Sequence, residues 1–339
     1  TASTMFAASG TAVYNVTSAG SVGSAVITSL TNARFQSVNM TTSGGSFLFI
    51  CNGADAPRHW NGSAWATPTL GSVTAANIIN VEVYKERLFF VLKDSLTYGY
   101  LPVNAVAGTV ASVNLGSVFS KGGKIMAIAT WTRDGGAGPD DNILFFTDQG
   151  EIAMYSGTDP SDATKWGLVG VYTVGRPIGH RCMLKVGSDC YLVTENGLLP
   201  MTQVLGTGEA APNVALSDKI SSSYNSSVVE FKGTFGWQGV VYPKGGYAAV
   251  NAPASTVGDF IQYIINLETG AWSRFTNQDA YVWAVFNSDL YFGGSTKVYK
   301  ADSGTDDSGS AIEAVAKTAF IYFGGRNGPK RYTAIRPVM

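Results

Sequence analysis

The chain carries only two histidines, His59 and His180, 121 positions apart. So few imidazoles argue against a multi-histidine metal centre and leave little to build a Ser-His-Asp triad from; both rings are read as structural. The three cysteines, Cys51, Cys182 and Cys190, include no CxxC, and an odd count gives neither a disulfide framework nor a zinc signature, so buried thiols are expected. Charge is sparse as well: 14% of residues are charged, and 23 Lys plus Arg against 24 Asp plus Glu leave a formal net charge of -1. That balance offers no bulk attraction to nucleic acid phosphates, although a near-neutral wall lets a polyanion slide past. No apolar run approaches the length of a membrane-spanning helix. Also missing are the GxSxG elbow, the Gly-Lys-Ser/Thr phosphate loop, the HExxH pair and the sialidase Ser-x-Asp-x-Gly-x-x-Trp string. Hydrolase and nucleotide-binding classes lose their usual support.

What is present is a repeat. Apolar runs ending in a small or polar turn recur with Phe6, Phe49, Phe90, Phe146, Val193, Val250 and Phe292 in equivalent positions, 41 to 57 residues apart. That period matches a four-stranded propeller blade, which buries its faces only against neighbouring blades. The expected fold is all-β, a β-propeller of about seven four-stranded blades forming a single domain over residues 1–339. Leu88-Phe-Phe-Val-Leu92, Ile143-Leu-Phe-Phe146, Tyr191-Leu-Val193, Tyr263-Ile-Ile265 and Leu290-Tyr-Phe292 read as strands buried on both faces. Glu151-Ile-Ala-Met-Tyr155 and Lys297-Val-Tyr-Lys300 alternate and read as strands with one face towards solvent or a subunit. Glu268-Thr-Gly270 and the Asn61-Gly62 step between Trp60 and Trp65 are hairpin turns, because Gly accepts the positive φ such turns need. The tryptophans are expected to pack between blades. No segment sustains a capped helical period. The nearest, Ser310 to Thr318, runs into Ala319-Phe-Ile-Tyr-Phe323 and reads as strand at least as well as helix.

Two insertions, residues 129–142 and 205–229, stretch the repeat, and loops of that size on a rigid ring are natural contact sites. Arg133, Asp134, Asp140 and Asp141 are therefore the candidate subunit-contact residues; no catalytic, metal or cofactor-binding residue is assigned. The acidic stretches Asp134 to Asp141 and Asp302 to Asp307 carry oxygen ligands but lack the Asp-x-Asp-x-Asp-Gly spacing, so a solvated turn is preferred to calcium binding. The basic run Gly324-Gly-Arg-Asn-Gly-Pro-Lys-Arg-Tyr332, followed by Thr333 to Pro337, either closes the ring against Met5-Phe-Ala or leads out of it.

Longer strings carry a resemblance. Lys85-Glu-Arg-Leu-Phe-Phe90 with Tyr100-Leu-Pro-Val103, Gly138-Pro-Asp-Asp141 with Phe146-Thr-Asp-Gln-Gly150, and Tyr155-Ser-Gly-Thr-Asp-Pro160 resemble tail proteins of short-tailed bacteriophages. Val174-Gly-Arg-Pro-Ile-Gly179, Gly236-Trp-Gln238, Tyr242-Pro-Lys-Gly245 and Lys330-Arg-Tyr-Thr-Ala-Ile-Arg-Pro337 extend it over roughly residues 84–337. The family is the tail nozzle, or tail tubular protein B. The resemblance implies a non-enzymatic virion structural protein in the phage tail, without cofactor. It also implies a homohexameric tube beneath portal and adaptor, with tail fibres or spikes attached and genomic DNA leaving through the channel without sequence recognition. Nozzle proteins have a β-rich platform before the propeller, so this shorter chain reads as a fragment of a longer or processed polypeptide. The alternative is a propeller receptor- or glycan-binding module, which requires an aromatic such as Trp65 or Trp272 open to solvent.

Overall fold

The computed structural model describes residues 3–134, 139–207, 215–256, 258–306, 309–315 and 331. Its contacts divide the chain into two compact units, Thr1–Asp302 and Ser303–Met339. The first unit is a β-propeller of six antiparallel sheets, each following the last in sequence. The first sheet is Gln36–Thr42, Gly45–Cys51, Arg58–Trp60 and Trp65–Ala66; the second is Ile78–Tyr84, Arg87–Leu92, Thr97–Tyr100 and Ala111–Asn114. The third comprises Ile125–Asp134, Pro139–Thr147, Glu151–Gly157 and Trp166–Thr173. The fourth has three strands, Met183–Val186, Asp189–Thr194 and Gly197–Pro200. The fifth is Gln238–Tyr242, Tyr247–Pro253, Phe260–Asn266 and Trp272–Phe275, and the sixth is Val282–Phe286, Asp289–Gly293 and Val298–Lys300.

Six of the seven repeat positions, Phe49, Phe90, Phe146, Val193, Val250 and Phe292, fall on the second strand of a sheet. That strand is flanked by neighbours within its sheet and packed on both faces, which is why its side chains are apolar without alternation. Phe49, Phe90, Phe146 and Val193 are fully buried. The seventh position corrects the expected count. Phe6 lies in a two-stranded hairpin, Phe6–Ser9 with Ala12–Asn15, and residues 16–35 add one isolated bridge, Val13 to Ile27, but no strand. The hairpin packs on the first sheet instead, with the Phe6 ring 5.1 Å from Trp60 and 4.9 Å from Trp65, each edge to face. The described residues thus hold six blade-like sheets rather than about seven.

Both strands expected to alternate depart from that pattern. Glu151–Gly157 is buried on both faces over Glu151 to Tyr155, because it is an inner strand of the third sheet. Val298–Lys300 is exposed throughout, because it is the outer strand of the sixth. The five strands expected to be buried on both faces all form, but in the sixth sheet Tyr291 and Phe292 are only half-buried beside the buried Leu290, and residues 311–315 carry no strand; both hairpins form as expected. In the second hairpin Asn266 N–H bonds to the Ala271 carbonyl at 2.9 Å while Gly270 takes a φ of 65°.

Glu151 is buried but its carboxylate is fully partnered. Its carboxylate accepts bonds from Ser120 N–H (3.1 Å), Ser120 Oγ (2.7 Å) and Lys121 N–H (2.8 Å). Burial pushes its pKa up, but these three donors outweigh burial and hold it below its usual 4.5. A carboxyl depressed in the folded state contributes stability that is complete above its unfolded pKa and is lost as pH falls through the folded value. Urea unfolding measured between about pH 5 and pH 3 is expected to show stability falling with acid, and Glu151→Gln to flatten that slope. An unchanged slope in the variant would remove this carboxyl as a source of acid sensitivity.

Candidate functional site

The first insertion is mostly strand. Ile125–Asp134 and Pro139–Thr147 pair through Arg133 to Asp140 and Asp134 to Pro139, so the expected loop over 129–142 shrinks to the tip of a long hairpin whose residues 135–138 lie outside the described set. Its lower half is core: Ala129 and Trp131 are buried, and Trp131 Nε1 donates to the Ser188 carbonyl of the fourth sheet at 3.1 Å. The structure therefore brings the four candidate contact residues to one hairpin end, on facing strands. The side chains of Arg133, Asp134 and Asp140 lie outside the described set.

Asp141 is described, and it is engaged within the chain. Its carboxylate forms an ion pair with Lys85 and accepts from Thr132 Oγ1 at 2.8 Å, while its carbonyl accepts from Tyr84 Oη at 2.8 Å. The Lys85 ammonium, followed by the Thr132 hydroxyl, holds its pKa below the usual carboxylate range. The partner is the turn of the second sheet, where Lys85 and Glu86 take φ of 46° and 59°, the left-handed pair a two-residue hairpin turn demands. Neither residue is glycine, so the turn is strained, and the Asp141 contacts hold it in place. Asp141 is thus a brace between second and third sheets, with 35% of its side chain exposed.

The second insertion corrects the expectation that no helix forms. Helix α1 (Met201–Thr207) follows the last strand of the fourth sheet, and α2 (Ser221–Phe231) follows a short 3-10 turn, Leu216–Ile220. Residues 208–214 lie outside the described set. Helix α2 reads poorly in sequence because Ser-Ser-Ser-Tyr-Asn-Ser-Ser has low helical propensity and Ile220 offers no side-chain cap. Packing overrides both. Tyr224 is 1% exposed and donates to the Thr194 carbonyl at 2.7 Å, and Ser227 Oγ lies 2.8 Å from Tyr263 Oη in the fifth sheet. The helices thus stand beside a sheet of three strands, which accounts for the long repeat interval there.

A buried polar clasp, unassigned from sequence, joins the fourth, fifth and sixth sheets. Asn251, fully buried, donates from Nδ2 to the carbonyls of Gly236 and Ala280, both at 2.8 Å. Its Oδ1 accepts from Gln262 Nε2 and Trp283 Nε1, both at 2.9 Å. Gln238 adds bonds to the Trp283 backbone, and the Arg181 guanidinium donates to Gln238 Oε1 at 3.0 Å. Arg181 also lies 4.9 Å from the Phe235 ring centroid, where Arg34 from the entry to the first sheet lies at 4.8 Å. Burial pushes the Arg181 pKa down to about 10, so it remains charged at neutral pH. A polar residue inside an apolar run was the available signal: Gln262 in Phe260–Asn266 and Asn251 in Tyr247–Pro253.

The remaining candidates are structural. His180 Nδ1 donates to the Met126 carbonyl at 2.6 Å, and burial holds its pKa down; burial also lowers that of His59. All three cysteines are buried free thiols, with Cys182 and Cys190 pushed up to about 12 by desolvation. Trp65 and Trp272 are half-buried. Trp65 packs on Phe6 and Trp60, and Trp272 donates to the Leu216 carbonyl at 3.0 Å, so neither is a bare platform for a sugar. A polar cleft of about 310 Å³ beside the second sheet, lined by Ser72, Thr74, Lys93, Ser95 and Ser112, has no aromatic wall. The described residues contain no group of three His, Cys, Asp or Glu that could hold a metal ion, and no helix long and apolar enough to cross a membrane. The expected C-terminal strand and basic turn, residues 319–337, lie outside the described set apart from Arg331.

No family model and no curated protein sequence matches the chain. Among solved structures it is similar to a Bacteroides fragilis protein provisionally described as exported, with 8% identity and a TM-score of 0.40 over 77% of this chain and 84% of that one.

Proposed function

We propose that this chain is a virion structural protein, a subunit of the tail nozzle of a short-tailed bacteriophage. In this reading it assembles as a homohexameric tube beneath the adaptor, carries tail fibres or spikes, and lets genomic DNA pass without reading its sequence. Its work is mechanical, and no catalytic residue is assigned. One observation supports the reading: several of the strings that resemble the nozzle family fall on turns and connectors of the propeller, whereas Lys330 to Pro337 lies outside the described residues apart from Arg331. Lys85 and Glu86 form the turn of the second sheet, residues 174–179 run from the third to the fourth, residues 236–238 enter the fifth, and Pro243–Gly245 is a turn inside it. A resemblance concentrated at the joints of a frame fits a protein that acts through its shape.

The test is the mass of the purified native assembly by light scattering, with its electron-microscopy projection. Six copies around an axial hole are expected. Paired Arg133→Ala and Asp134→Ala substitutions are expected to weaken assembly if the hairpin tip is a subunit contact, and unchanged assembly would remove that contact. A chain that never appears in purified virions would overturn the nozzle reading as a whole.

A further inference from the structure

The first strands of successive sheets pack on one another: Gln36–Thr42 on Ile78–Tyr84, Ile78–Tyr84 on Ile125–Asp134, Met183–Val186 on Gln238–Tyr242, and Gln238–Tyr242 on Val282–Phe286. They are the inner strands of the propeller, and the connectors that lead into them gather at one mouth of its axis. Three contacts there skip a sheet, as happens where sheets converge. Asn80 Nδ2 of the second sheet donates to the His180 carbonyl, before the fourth, at 3.1 Å. Arg181 donates to the Tyr281 carbonyl, before the sixth, at 3.4 Å, and Arg34 before the first sheet reaches the Phe235 ring before the fifth.

This mouth carries positive charge that nothing described compensates. Arg34 and Arg181 hold their guanidinium carbons 4.8 Å and 4.9 Å from the same Phe235 centroid, and no ion pair among the described residues includes either. Arg181 is half-buried, and its described acceptors, Gln238 Oε1 and the Tyr281 carbonyl, are both neutral. Burial lowers its pKa, and no carboxylate opposes that shift. Arg87, whose side chain is 13% exposed, shows the usual remedy for a desolvated cation, since Asp159 lies 3.4 Å away. His180 senses the same field. Burial first, and then the charges of Lys124 and Arg181, push its pKa down, and only its bond to the Met126 carbonyl opposes them. Lys124 is itself paired with Asp94 at 2.6 Å, so the imbalance rests on the two arginines.

We propose that Arg34 and Arg181 bind a phosphate group at this mouth, beside the ring of Phe235. A desolvated guanidinium is matched by a charged acceptor that meets its fork, and two forks on one ligand ask for more than the single charge of a carboxylate. A phosphate group brings about −1.5 to −2 charges at pH 7 and three acceptor oxygens. Arg181 supplies the fixed fork, held by Gln238 and Tyr281. Arg34 is exposed, and its longer reach lets it turn towards the ligand. Phe235 draws both guanidiniums to one place and keeps water from one side of each. The site stands whether or not the chain belongs to a phage tail.

The test is isothermal titration of the purified chain with inorganic phosphate and with pyrophosphate, at low and matched ionic strength. Saturable binding with a Kd of about 1 mM or tighter is expected. Arg34→Gln removes the charge at an exposed position and is expected to weaken binding about tenfold. Lys244→Gln removes a cation just beyond the far end of the strand Gln238–Tyr242, and is expected to bind as the parent does. Binding of both anions would support a site for the free ion. Binding of pyrophosphate alone would support the site and assign it to phosphates carried on a larger molecule. No saturable binding of either anion, or unchanged binding in Arg34→Gln, would overturn the inference. Equal losses in Arg34→Gln and Lys244→Gln would reduce the signal to general charge attraction and overturn it as well. Far-ultraviolet circular dichroism identical to the parent separates loss of the site from unfolding in both variants.

Discussion

The Asn251→Leu variant is expected to unfold at a much lower urea concentration than the parent, with a loss of about 4 kcal/mol and an unchanged dependence on denaturant. The magnitude follows from what one side chain satisfies. Asn251 makes four bonds, to the carbonyls of Gly236 and Ala280 and from the side chains of Gln262 and Trp283. Leucine fills the space and makes none of them, leaving two buried acceptors and two buried donors without this partner. Each orphaned group costs about 1–3 kcal/mol unless water reaches it, and Asn251 and Gln262 have no exposed surface. Gln262 keeps a bond from Nε2 to the Gln278 carbonyl at 3.0 Å, so its loss is partial. A measured loss below about 1 kcal/mol would mean that water or relaxation takes over the role of the amide.

The position of this clasp explains why it matters beyond its own sheet. Gly236 belongs to the connector entering the fifth sheet, Ala280 to the connector entering the sixth, and Trp283 to the first strand of the sixth. One amide thus fixes the approach of two successive blades. Apolar contacts between blades set their spacing but not their register, whereas directional bonds to backbone carbonyls fix both.

The frame was legible in the sequence where burial on two faces enforces an apolar run. Phe49, Phe90, Phe146, Val193, Val250 and Phe292 mark second strands because only apolar side chains suit a strand packed on both sides. Phe6 satisfies the same local pattern and yet marks a two-stranded hairpin, because the pattern reports a buried hairpin and not the number of strands attached to it. Helix α2 was invisible because its serines favour other local structures, and it is held by packing of the buried Tyr224, Ser227 and Val228. The hairpin tip with Arg133, Asp134, Asp140 and Asp141 was found by the spacing of the repeat. The clasp around Asn251 was missed because its partners, two main-chain carbonyls and the side chains of Gln262 and Trp283, lie 11 to 32 residues away in sequence, which no motif encodes.

The second large effect concerns the seam between second and third sheets, where aromatic rings replace the polar clasp. Phe145 is fully buried, with its ring stacked 4.4 Å from Tyr98 of the second sheet and edge-on to Tyr155 at 5.9 Å. Trp166 extends the stack between Phe89, 5.8 Å away, and Tyr155, 5.6 Å away, both within 15° of parallel. Phe145→Ala is expected to cost about 4 kcal/mol, the transfer free energy of the ring plus that of a cavity the neighbouring rings cannot collapse into. Phe145→Leu, which keeps most of the volume but loses the stacking, is expected to cost about 1.5 kcal/mol. Phe275→Ala, at a ring 41% exposed on an outer strand, is expected to stay within about 0.5 kcal/mol of the parent. Urea midpoints for the three variants decide the matter by their order. If Phe145→Leu costs as much as Phe145→Ala, ring stacking rather than filled volume holds the seam; equal effects at Phe145 and Phe275 would mean that the seam is not a buried core. The contrast with Asn251 then becomes physical: one pair of sheets is held by volume and tolerates a change of shape, whereas the other is held by direction and does not.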